Sequence, residues 1–124
     1  MNNVEQNQND SGTGPGAILP SELKGLNWGA FFLGWIWGIA HNTWLSFLWF
    51  VPGFKLIMPF VLLFKGNEWA WQNRKFSSPE EFKEIQRKWT LWGLVALVFY
   101  IILFIYLIYA AVLITRAGQN MGHN

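Results

Sequence analysis

The sequence has no cysteine among its 124 residues. It can therefore form no disulfide, thiolate metal site or thiol nucleophile, and redox usage says nothing about its compartment. Charge is also scarce. Only 13% of residues are charged, against roughly 25% in a soluble globular chain. No charged residue occurs between Lys24 and Lys55, and none between Lys88 and Arg116. Histidine occurs twice, at His41 and His123, which is too few for a ligand set, so no metal or other cofactor is expected. The formal net charge of +2 is too small and too dispersed for a nucleic-acid surface, and no nucleic-acid partner is expected. The first twenty-five residues lack a basic start followed by an apolar core, so no cleavable leader is expected there.

Hydrophobic residues make up 52% of the chain, with nine tryptophans, and they are clustered. Leu91–Ile114 reads LWGLVALVFYIILFIYLIYAAVLI. As a helix it would be about 36 Å long at 1.5 Å per residue, enough to cross a hydrocarbon core of about 30 Å with some tilt. A helix apolar on every face cannot be buried by so small a chain, so the sequence predicts an integral membrane protein. Just before it, SSPEEFKEIQRKW carries a helix start: Ser78 as N-cap, Pro79 at the first helical position and Glu81 three residues after the cap. Phe82, Ile85 and Trp89 then recur on one stripe. One continuous helix is predicted, amphipathic at first and entering the bilayer at Trp89 and Trp92.

The expected fold class is all-α: a helical hairpin plus one long amphipathic-to-transmembrane helix. Residues 1–25 read as a disordered polar tail, since Asn/Gln/Gly-rich composition cannot offset the entropy of folding. Residues 26–64 read as a hydrophobic hairpin of two short membrane helices, with a turn near 41–43 where His41-Asn42-Thr43 interrupts the apolar run. Asn42 or Thr43 would cap the second helix, which Pro52-Gly53 should kink or break. The alternative is a single span from Leu26 to Val51 followed by an interfacial Gly53–Phe64. Residues 65–88 form a cytoplasmic amphipathic loop and helix start, 89–115 the transmembrane helix and 116–124 a polar tail. Six of the nine Lys and Arg residues lie in 65–88, which places that segment on the cytoplasmic side of a multi-pass protein of the inner membrane.

The stretch KGNEWAWQNRKF, Lys65–Phe76, carries the candidate site. Exposed Trp and Arg are the residues of interface hot spots, so Lys65, Asn67, Glu68, Trp69, Trp71 and Arg74 are the candidate partner-binding residues. Trp69, Trp71, Trp89 and Trp92 also suit an aromatic belt at headgroup level. No second carboxylate or nucleophile lies near Glu68, so no catalytic residue is expected. Lys55 is the candidate intramembrane charge under the hairpin reading and an interfacial anchor under the single-span reading. His41 reads as a turn residue at the outer interface. Gly29, Gly34 and Gly38 recur at the spacing of a close helix-packing face.

The runs LNWGAFFLGWIWGIAHNTW, IMPFVLLFKGNEWAW and FKEIQRKWTLWGL together resemble a group of small bacterial membrane proteins of the DUF2628 type, from about Leu26 to Leu94. The resemblance implies a bacterial membrane protein and supplies no activity. Some members of that group carry a ribonuclease G label, which no carboxylate pair or RNA-binding pattern here supports. The functional expectation is a non-enzymatic integral membrane protein that contacts the lipid bilayer and docks a protein partner, or a second copy of itself, through a Trp-rich cytoplasmic face. The alternative is a small oligomeric transport or permeation subunit using Lys55.

Overall fold

The computed structural model describes residues 9–123. Among these there are three α-helices, two short 3-10 turns and no strand. They fall into two compact units, one ending at Leu94 and one beginning at Val95.

In the first unit, α1 spans Trp28–Ala40 and begins on Asn27, whose side-chain oxygen accepts the Ala30 N–H at 2.9 Å. It ends at the HNT triplet. Asn42 takes a positive φ of 54°. Its N–H bonds to the Ile39 carbonyl at 3.3 Å, while the Thr43 N–H reaches the Gly38 carbonyl at 2.8 Å. That bond pair is a Schellman motif, with Asn in the place usually held by Gly. Asn42 thus terminates the first helix and caps no second one. A 3-10 turn follows at Trp44–Phe50, then turns through Gly53 (φ 91°), and α2 runs Met58–Asn73 with Pro59 in its first turn.

The predicted hairpin of two short membrane helices over 26–64 therefore does not form. Residues 44–57 are 3-10 and turn structure because Pro52-Gly53 ends any helix begun at Trp44. The helix that restarts at Met58 passes through Lys65 without a break, so the first part of the predicted loop 65–88 is the C-terminal half of α2. The reason lies in its small residues. A Cβ on Gly66 would lie 3.1 Å from Asn27 Cβ and 3.2 Å from Ala30 Cβ, and Ala70 one turn on is buried. Gly66 and Ala70 form the strip on which α1 lies, a close helix approach of the small-xxx-small kind. On α1, Gly29 serves the third helix in the same way: a Cβ there would sit 2.8 Å from the backbone of Trp89. Gly34 serves otherwise, with φ 46° kinking α1 beside the Trp49 ring.

The predicted disorder of residues 1–25 is corrected from Asn9 onward; residues 1–8 lie outside the described part. An α-helix leaves its last carbonyls without intrahelical donors. Here the Gly12 N–H donates to Trp71 O at 2.7 Å and the Gly14 N–H to Gln72 O at 2.9 Å. Ser11 is buried, its hydroxyl accepting the Phe76 N–H at 2.9 Å. Asp10 accepts from Ile18 N–H and from the Trp71 indole, each at 2.8 Å. Ala17, Leu19 and Leu23 then join Trp37, Leu62, Trp71, Phe76 and Phe82 in the core. The polar tract is ordered because its polar groups find long-range partners at the end of α2.

The last helix, α3, runs Pro79–Gly122. Ser78 Oγ accepts the Glu81 N–H at 3.1 Å, and the Glu81 carboxylate turns back onto the Ser77 N–H and hydroxyl, so the capping pair is set one residue wider than a simple capping box. In the second unit this helix has no internal packing. Every residue from Val98 to Tyr109 is exposed. Among the described residues it is the one helix long and apolar enough to cross a membrane.

Candidate functional site

Unit one encloses a row of hydrogen-bonded polar side chains. Gln86, on the inner face of α3, accepts at Oε1 from Asn27 Nδ2 at 2.9 Å and from the Trp37 indole at 3.2 Å. Its amide nitrogen donates to His41 Nε2 at 2.9 Å. His41 Nδ1 lies 2.8 Å from the Trp37 carbonyl, an acceptor only, so Nδ1 carries the proton and Nε2 presents its lone pair. The second Asn27 N–H goes to Asn67 Oδ1 at 2.9 Å, and Asn67 donates to Leu23 O at 3.0 Å. The row links the N-terminal segment with all three helices.

His41 is fully buried, its ring stacked on Trp37 at 4.4 Å and edge-on to Trp89 at 5.5 Å. It is a core residue, correcting its expected place in an interfacial turn. Burial pushes its pKa down to about 4, against a raising influence from the Trp37 carbonyl, and the Arg74 charge lowers it further. The imidazole is neutral near pH 7 and walled off by aromatic rings. The sequence held one signal for this row: Asn27, His41 and Gln86 are uncharged polar residues in or beside the apolar segments, where polar groups turn inward to find partners.

The six candidate interface residues do not share a face. Trp71 is buried, stacked on Phe76 at 5.9 Å. Asn67 belongs to the polar row, and Trp69 packs partly buried against the core. Arg74 donates to the Ala40 carbonyl at 3.3 Å and lies over the Phe76 ring at 5.4 Å. Only Lys65 and Glu68 point outward, as an exposed pair at 3.2 Å of the kind that contributes little stability. The Trp-rich face is thus a packing face. Lys55 sits in the turns before α2, exposed, its ammonium 5.0 Å from the centre of the Trp49 ring.

Three surface features remain. Beside Glu68, a groove of about 530 Å³ lies between Pro15–Leu19 and α2, reaching Phe64, Asn67 and Gln72. A second, of about 470 Å³, lies between α1 and the start of α3. The segment between α1 and α2, with the first turn of α2, exposes Trp44, Phe50, Phe54, Leu56, Ile57 and Phe60 as an apolar lobe. No group of three or more His, Asp or Glu that could hold a metal occurs among the described residues. Comparison of the chain with protein-family models, curated proteins and solved structures finds no match.

Proposed function

We propose that this is a non-enzymatic protein of the bacterial inner membrane, anchored by α3, which docks an extended segment of a protein partner in the groove between Pro15–Leu19 and α2. The observation that carries the reading is the exposure of every residue from Val98 to Tyr109 on an apolar helix, a surface that only hydrocarbon or an equally apolar partner can cover. Lys83, Arg87 and Lys88 precede the span, which puts that end on the cytoplasmic side. The apolar lobe Trp44–Phe60 contains one charge, Lys55, held over Trp49. Amphipathic rings beside a snorkelling lysine suit the interfacial layer. The lobe rests in the headgroup region and does not form a second crossing.

The docking groove offers apolar walls from Phe64 and Ile18, an amide group from Gln72, and charges of both signs from Lys24 and Glu68. An extended peptide needs that mixture: main-chain hydrogen bonds and shallow apolar pockets. The missing cysteines make topology directly measurable. Single Cys replacements at Ser21, Ser78 and Gly118 would be labelled with an impermeant maleimide in intact and permeabilised cells. Ser21 and Ser78 should be shielded until permeabilisation, and Gly118 labelled at once; labelling of Ser21 in intact cells would reject the single-crossing arrangement. For docking, a photo-crosslinking residue at Gln72 should give a discrete adduct that Glu68→Lys abolishes. No adduct, or one unaffected by Glu68→Lys, would reject the groove.

A further inference from the structure

We propose that the groove between α1 and α3 is a binding site for one anionic phospholipid, an acyl chain lying against Leu33, Ile36, Trp89 and Trp92 and the phosphate meeting the Lys88 ammonium. The inference rests on the membrane reading of α3. Four of the five lining side chains are apolar or aromatic and the fifth is a cation, the pairing of surfaces a charged amphiphile presents. The volume of about 470 Å³ falls in the range of small-molecule sites.

The position along α3 supports a lipid over a soluble ligand. The groove straddles the change from the charged first turns of α3 to the stretch that carries no charge until Arg116. Trp92 and Ile36, two of its lining side chains, are both exposed. The N–H groups of Trp89 and Trp92, like those of the other indoles apart from Trp37 and Trp71, donate to no described residue and can meet phosphate or ester oxygens. No acid lines the groove; Glu84 pairs with Lys88 at 3.1 Å from one turn toward the polar end. Both side chains are mostly exposed, so the pair is weak and exchangeable for a phosphate. Lys83 and Arg87 lie outside this groove and add to the field that draws anionic lipid.

The test is native mass spectrometry of the full chain released from detergent micelles containing phosphatidylglycerol or phosphatidylcholine. The chain should retain one phosphatidylglycerol and several-fold less phosphatidylcholine. Lys88→Gln should weaken retention about fivefold, the worth of one well-placed cation, and Glu84→Gln should strengthen it. Ile36→Trp, which fills the groove from an exposed position, should abolish retention with unchanged helicity by circular dichroism; if helicity falls, Lys88→Gln and Glu84→Gln, both at exposed positions, decide alone. Equal retention of the two lipids would overturn the proposal, as would a loss on Lys83→Gln matching that on Lys88→Gln, or displacement of the lipid by equimolar inorganic phosphate. Carbonate extraction separates the underlying reading: release of the chain from membranes rejects the span, while a carbonate-resistant chain without lipid selectivity rejects only the lipid site.

Discussion

His41 and Gln86 face each other through a 2.9 Å hydrogen bond that joins the end of α1 to the inner face of α3. Gln86 is the hub, bonded at once to His41, Asn27 and Trp37. Gln86→Leu keeps the volume but leaves a buried imidazole nitrogen and the Trp37 indole without partners, and takes one of the Asn27 amide's bonds. The expected loss is about 3 kcal/mol, from unpaired buried polar groups. Urea unfolding of the detergent-solubilised chain, followed by tryptophan fluorescence, measures it.

The same histidine makes stability depend on pH. Its pKa is about 4 in the fold and about 6.5 in an unfolded chain. Between those values the unfolded state binds the extra proton, so acid favours unfolding. The contribution is fully present above about pH 6.5 and falls by about 1.4 kcal/mol per unit down to about pH 4, then levels off. His41→Phe should flatten this part of a stability-against-pH curve, and an unchanged slope would remove His41 as its source.

Gly29 and Gly118 form a matched pair. An added methyl at Gly29 meets the Trp89 backbone, while one at Gly118 meets nothing. Gly29→Ala should cost about 1–3 kcal/mol through overpacking of the α1–α3 crossing, and Gly118→Ala should be neutral or slightly stabilising through helix propensity. Limited proteolysis of the two variants side by side distinguishes them.

The N-terminal segment should release in acid or on loss of Asp10. The hydrogen bonds from Ile18 and then Trp71 hold the Asp10 carboxyl below its ordinary pKa, so its contribution is present above about pH 4 and disappears as pH falls through the lowered value. Asp10→Ala removes both bonds, for about 1 kcal/mol. Hydrogen exchange at Gly12 and Gly14 should accelerate in this variant at neutral pH while exchange along α2 changes little.

The elements written locally were legible. Ser77-Ser78-Pro79-Glu80-Glu81 announced the start of α3, and the long uncharged run from Leu91 announced its apolar half. What escaped was written at a distance. Gly66 and Ala70 look like loop residues until α1 lies across them; only the pair Asn27–Ala30, some forty residues away in sequence, makes them a helix interface. The tail looked too polar to order because its acceptors, the carbonyls of Trp71 and Gln72, exist only once α2 has ended. Tryptophan density in KGNEWAWQNRKF suggested a surface, yet Trp71 finds a partner for its indole in Asp10, sixty-one positions earlier, and can be buried whole. Hydropathy marked which stretches avoid water and left open which of them meet each other.

The docking of Gly12 and Gly14 onto the end of α2 also sets a timetable. These residues leave the ribosome long before Trp71 and Gln72, and nothing nearer in the chain offers them the same acceptors. The strap therefore closes late, once α2 has ended. A nascent chain halted before Trp71 would hold two unfinished pieces, an α2 cut short and a strap with nothing to fasten to.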